Sequence, residues 1–151
     1  MGLTERLVYL NHNSFFYPFT NIILLLVFHI EMPKQVVIGK NLKLQHGGFG
    51  IVINPMTRIG NNVTIFHNVT IGSASPWDDT KMVKHIQKDG GTFCIDIQDN
   101  TYLCTGCVIL CKETLVVGKG TLIAANAVLT CSTGENEIWA GVPAKCVGKR
   151  K

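Results

Sequence analysis

Two histidines, His46 and His67, are the residues of this chain whose type and placement point most directly to chemistry. Imidazole exchanges a proton near neutral pH, so a well-placed histidine can take a proton from a hydroxyl and return it to a leaving group. Each follows a branched aliphatic residue by two places, in Leu44-Gln45-His46 and Ile65-Phe66-His67. His46 runs into Gly47-Gly48-Phe49-Gly50, a glycine-rich irregularity where backbone can approach a ligand closely. His67 also reads as a polar rung of a regular scaffold. With His85 the two could form a metal-ligand set, and Cys104, Cys107 and Cys111 are spaced like thiolate ligands. A closed structural zinc site needs a fourth ligand, and the cysteines fall where small turn residues are wanted, so no metal is expected.

The elements that must position these residues are set by a six-residue beat. Apolar residues recur at Ile53, Ile59, Ile65 and Ile71, resume at Ile97, Leu103 and Ile109, and resume again at Val117, Ile123 and Leu129. A helix repeats near three and a half residues and a strand at two, so neither explains the period. One short strand and one turn per repeat, stacked as a parallel β-helix, does. The second position is often Gly, and the fifth is small or β-branched: Thr101, Cys107, Thr121 and Ala127, with Glu113 the exception where the beat slips. Earlier repeats start at Ile38 and Leu44. If the excess after Leu44 bulges out, His46 and His67 hold equal positions one coil apart, about 4.8 Å in backbone spacing.

At 151 residues the chain suits one domain. Only 16% of residues are charged, and the mean hydropathy of +0.24 predicts burial in an oligomer interface. The net charge of +4 is not gathered in a stripe, which argues against a nucleic-acid partner. Lys149-Arg150-Lys151 reads as a solvated tail. Residues 1–33 read as a short helical segment, Thr4 to about Asn11 and about Phe19 to Phe28 separated by Pro18. The β-helix is expected over 34–151, with an excursion at about 73–94 holding Trp77, Asp78 and Asp79. The apolar stretch from Phe19 to Ile30 is too short to span a bilayer, although Phe15, Phe16, Tyr17 and Phe19 leave a peripheral membrane contact open. Nothing reads as a signal peptide, and the six cysteines then suit a reducing, cytoplasmic compartment.

The segment LKLQHGGFGIVINPMTRIGNNVTIFHNVTIG, from Leu42 to Gly72, resembles the serine acetyltransferase branch of the hexapeptide-repeat acyltransferases. IWAGVPAKCVG, from Ile138 to Gly148, resembles that family's closing motif. The resemblance implies a left-handed parallel β-helix, a homotrimer, acetyl-CoA in a groove between subunits, and transfer of acetyl to a hydroxyl. His46 matches the family's catalytic histidine. Backbone at Gly72 and Ser73 is implied to meet CoA or the oxyanion, Thr105, Ala124 and Ala125 the pantetheine arm, and Lys145 a CoA phosphate.

The family carries an aspartate before the histidine, where this chain has Gln45, and a glutamate after the next strand, where it has Asn54-Pro55. The position of the family's second active-site histidine falls near Phe93-Cys94, where this chain has no histidine. Gln45 could hold an imidazole tautomer but cannot offset its charge. Gln45, Asn54, Trp77 and Asp78 are therefore the candidates for contact with an acceptor that is a sugar or polysaccharide unit, or L-serine. The alternative is a catalytically impaired β-helical scaffold or CoA-binding protein.

Overall fold

The computed structural model describes residues 1–74, 85–86 and 92–150. Trp77, Asp78, Asp79 and the side chain of His85 lie outside the described residues. Two helices, α1 (Leu3–Asn11) and α2 (Tyr17–Phe28), precede the strands. The first coil is β1 (Val37–Ile38), β2 (Lys43–Leu44) and β3 (Val52–Ile53), and the second is β4 (Thr57–Ile59), β5 (Thr64–Ile65) and β6 (Thr70–Ser73). After a short antiparallel pair, β7 (His85–Ile86) and β8 (Thr92–Phe93), come β9 (Ile95–Ile97), β10 (Tyr102–Leu103) and β11 (Val108–Cys111). The fourth coil is β12 (Leu115–Val117), β13 (Leu122–Ile123) and β14 (Val128–Leu129), closed by β15 (Glu137–Ala140) and an antiparallel β16 (Lys145–Lys149).

These strands form a left-handed parallel β-helix with three faces. The first face is β1-β4-β9-β12, the second β2-β5-β10-β13-β15-β16, and the third β3-β6-β11-β14. Register follows the six-residue beat: Ile38 pairs with Ile59, Leu44 with Ile65, and Ile53 with Ile71. From the second coil onward every beat residue is at most 1% exposed. The fifth-position residues Val63, Val69, Thr101, Cys107, Thr121 and Ala127 are all at 0%, because a narrow prism admits only small or branched side chains at its inner corners.

A further rule, which the beat alone did not reveal, governs the fourth position. Asn41, Asn62, Asn100 and Gly120 at one corner, and Asn68, Gly106 and Asn126 at the next, all have positive φ. Glycine and asparagine tolerate the left-handed region that other residues enter only at a cost. The corners therefore turn at identical places in successive coils.

Three interruptions escape the beat without breaking it. The Gly47–Phe49 excess bulges outward and Val52 rejoins the third face opposite Thr70. The second leaves after Ala74, whose N–H still donates to Cys111 O (2.7 Å), and returns at Cys94, whose N–H donates to Met56 O (2.9 Å). The third, residues 112–114, contains Glu113 and sits at the same corner between β11 and β12.

The helices pack on the first coil. The hydroxyl of Tyr9 donates to Gly39 O (2.8 Å) and accepts from Leu42 N–H (3.1 Å). Asn11 donates to Met32 O (3.1 Å) and accepts from the buried Thr20 hydroxyl (2.9 Å). Pro18 does not separate the helices as expected. It sits in the first turn of α2, where a missing N–H leaves no intrahelical bond unmade. Glu31 already pairs with Val52, so the chain joins the third face before the first full coil begins.

Candidate active site

The chain leaves β2 in a single tight turn, Gln45–Gly48. His46 has φ 54° and ψ 34° and is followed by Gly47 at φ 70° and Gly48 at φ 68°. A non-glycine residue in this region costs about 1–2 kcal/mol, so surrounding contacts must hold it there. They come from the helices. The Glu5 carboxylate accepts from Leu44 N–H at 3.0 Å, and Phe28 O accepts from Gly50 N–H at 3.1 Å. The Phe28 and Phe49 rings meet edge-on at 5.8 Å. A Cβ on buried Gly48 would lie 3.1 Å from Ile51 and 3.2 Å from Leu44, on a backbone with φ 68°, so a larger residue would crowd its neighbours and strain the turn. The result is an exposed His46 imidazole on an anchored backbone.

His67 lies on the next coil. Its ring is half-buried and stands perpendicular to that of His46, with centroids 5.1 Å apart. Phe66 adds a second ring at 6.2 Å from His46. The buried His67 Nδ1 has no hydrogen-bond partner among the described residues. Neither imidazole is bonded to a carboxylate among them, and the described ion pair, Arg58 with Asp96 at 2.8 Å, belongs to the first face.

The register extends this pair into a column. Leu44, Ile65, Leu103 and Ile123 pair in succession, so two residues further on His46, His67, Thr105 and Ala125 follow one another up one corner. Gln45, Phe66, Cys104 and Ala124 form the adjacent column. Hydrogen bonds from Gly106 N–H to His67 O (3.1 Å) and from Asn126 N–H to Thr105 O (2.9 Å) hold the coils together there. Lys145 is exposed and pairs with Ala140, at the closing end of the same face.

A second group lies at the far end of the third face. Asn54 N–H donates to Ile71 O (2.8 Å), while Gly72 pairs with Leu110 and Ser73 with Cys111. Among the described residues a Cβ on Gly72 would meet Leu110 at 4.0 Å, so the side-chain side of Gly72 is uncrowded by them. Asn54 Oδ1 accepts from Met56 N–H at 2.9 Å, which commits that oxygen to a turn. Within one chain the structure does not bring Asn54, Gly72 and Ser73 to the histidines. The length of a third-face strand separates them. An open cleft of about 870 Å³ between α1 and the first two coils is lined by Glu5, Tyr9, Lys40, Lys43 and Asn61, among others. None of its lining residues belongs to the histidine column.

Three of the six cysteines serve packing. Cys94, Cys107 and Cys111 are at most 1% exposed, and no three His, Cys, Asp or Glu side chains converge among the described residues. Burial pushes the Cys107 thiol up to about 12, and a hydrogen bond with Cys94, followed by burial, raises that of Cys111. A raised value keeps the unreactive thiol form. At pH 8, iodoacetamide is therefore expected to modify the exposed Cys131 and Cys146 while Cys107 and Cys111 stay unmodified until the protein is denatured, as peptide mass mapping would show.

Sequence reasoning missed the supports of the His46 turn. Glu5 and Phe28 carry no motif, and only their contacts reveal them. Phe66 had a visible signal: it is the aromatic residue in a second position that is otherwise small, polar or aliphatic.

No family model matches the chain. A serine acetyltransferase homologue of Schizosaccharomyces pombe is 33% identical over 119 residues, covering 79% of this chain and 38% of that protein. The serine acetyltransferase of Bacillus subtilis is 30% identical over 118 residues, covering 78% of this chain and 48% of that enzyme. The chain thus spans less than half the length of these relatives. A solved serine acetyltransferase in complex with CoA superimposes with a TM-score of 0.67 at 26% identity, over 95% of this chain and 52% of that one. The Neisseria gonorrhoeae serine acetyltransferase in complex with serine superimposes with a TM-score of 0.73 over 96% of this chain and 55% of that one; at 23% identity it speaks to the fold alone.

Proposed function

We propose that this chain, which by its repeats, fold and sequence relatives belongs with the serine acetyltransferase-like hexapeptide acyltransferases, transfers acetyl from acetyl-CoA to a hydroxyl of a small acceptor. The observation that carries the reading is the exposed His46 imidazole, held on a left-handed turn at the foot of a column that continues into Thr105 and Ala125. His46 accepts the proton of the acceptor hydroxyl as its oxygen attacks the thioester carbonyl. The resulting oxyanion collapses, the carbon–sulfur bond breaks, and the imidazolium returns the proton to the CoA sulfur. No acyl-enzyme forms. His67, whose Nδ1 has no partner among the described residues and whose ring stands beside the reacting one, serves as a second hydrogen-bonding group for acceptor or intermediate.

Thr105, Ala124 and Ala125 present small side chains along which a pantetheine arm can lie, and Lys145 supplies a mobile point charge for a phosphate. Backbone near Gly72 and Ser73 is the candidate for contact with CoA or the oxyanion. Because these two stand apart from the histidines in one chain, the reading includes a homotrimer whose neighbouring copies bring the two groups together. The acceptor is a sugar or polysaccharide hydroxyl or L-serine, with Gln45, Asn54, Trp77 and Asp78 the residues offered to it. A membrane-surface contact of the helical segment belongs to the same reading. No helix among the described residues is long and apolar enough to cross a membrane.

The lack of a carboxylate partner for His46 among the described residues favours one competing reading, a β-helical protein that binds CoA without turning it over. Release of CoA thiol from acetyl-CoA, measured over L-serine and a panel of sugar and nucleotide-sugar acceptors, separates the two. The enzyme releases thiol with at least one acceptor. Binding of CoA by titration calorimetry without release from any would establish the competitor.

A further inference from the structure

The N-terminal helices carry a surface that acyl transfer leaves unused. No Asp, Glu, Lys or Arg occurs from Leu7 to Ile30. The inward side of α2 is partly polar: Thr20 is buried and its hydroxyl donates to Asn11 Oδ1 at 2.9 Å. Its outward side is apolar, with Phe19 72% exposed, Ile22 56%, Leu26 68% and Val27 54%. That is the reverse of an ordinary surface helix.

The shape of the patch selects its occupant. From Leu25 through Ile22, Leu26, Phe19 and Ile23 to Val27, the exposed apolar positions sweep about 200° of the helix circumference at 3.6 residues per turn. A packed helix buries a stripe roughly 100° wide, so one helix of a second copy would leave half of this arc in water. A fluid apolar layer covers all of it. Phe15 and Phe16, in edge contact at 5.1 Å, prolong the patch beyond the start of α2. Lys34 Nζ lies 5.6 Å from the Tyr17 ring at the start of α2, and on the neighbouring helix α1 Arg6 is exposed between the exposed Leu3 and Leu10. A 12-residue helix reaches about 18 Å, well short of the roughly 30 Å hydrocarbon core, so it lies in the surface.

We propose that α2 docks in the interface of an anionic lipid bilayer, its apolar arc in the acyl boundary and Lys34 and Arg6 at the headgroups. This deepens the membrane contact named above and rests on the acyltransferase reading only for the chemistry it places there. Phe28 at the end of α2 packs on Phe49 of the His46 turn, so docking holds that turn at the lipid surface.

The test uses the full chain with vesicles of mixed phosphatidylcholine and phosphatidylglycerol, without acetyl-CoA, so that its outcome is independent of turnover. The protein is expected to sediment with these vesicles and about tenfold less well with pure phosphatidylcholine. Phe19→Trp should add a fluorescence signal, beyond that of Trp77 and Trp139, that brominated lipid quenches. The double variant Phe19→Asp, Leu26→Asp should lose vesicle binding while keeping the wild-type circular dichroism spectrum and thiol release with a soluble acceptor. Absence of wild-type binding to the anionic vesicles would overturn the proposal, as would unchanged binding of the double variant. A wild-type assembly that ignores vesicles but breaks into smaller species in the double variant would assign the arc to contacts between copies.

Discussion

His46→Ala is expected to lower the release of CoA thiol by about 100- to 10,000-fold, the usual contribution of a positioned general base, with folding and assembly unchanged. The side chain is exposed and makes no hydrogen bond among the described residues, so its removal uncovers no core. Alanine also accepts this left-handed backbone less readily than glycine does, so His46→Gly is the companion variant: it removes the imidazole and relieves the turn. Both should retain the wild-type circular dichroism spectrum and the wild-type mass in solution. His67→Ala should have a smaller effect, since its ring approaches His46 rather than replacing it. Turnover that survives in His46→Ala and falls in His67→Ala would exchange their roles.

Ile65→Ala carries the largest expected cost to stability. Ile65 is fully buried, its strand lies between those of Leu44 and Leu103, and its loss opens a cavity beneath the His67 turn. Removal of such a side chain costs about 2–5 kcal/mol, because the stacked coils relax only partly around the void. The measurement is a denaturant midpoint at unchanged slope. A shift as small as that of an exposed substitution would contradict the stacking of beat residues along the prism axis. Ile65→Val, which keeps most of the volume, should cost about 0.5–1.5 kcal/mol.

The fold was legible because its rules are local. A strand that rises, turns and repeats every six residues must place an aliphatic residue inward at the same point of each repeat, and the buried series from Ile59 to Leu129 does so. The pairing of Leu44 with Ile65, across the glycine-rich excess, was legible for the same reason. The corner rule was present in the sequence as Asn62, Asn68, Asn100 and Asn126, yet asparagine is so common in loops that its meaning emerged only with the positive φ values. The bidentate pair of Arg58 with Asp96 (2.8 and 2.9 Å) was invisible, because the partners lie on different coils with the excursion between them.

The site divides along the same line. From the sequence alone came the period, the equal positions of His46 and His67, and hence their shared corner, since repeat register is a one-dimensional property of the chain. The tertiary structure decided the rest. It turned the His67 ring perpendicular to that of His46 and buried an Nδ1 that has no partner among the described residues. It also braced the His46 turn with Glu5 and Phe28, and set Gly72 and Ser73 a strand's length from the histidines. Side-chain orientation, burial and contacts between distant segments depend on how the helices pack and how each interruption leaves the prism, and no spacing in the sequence encodes them.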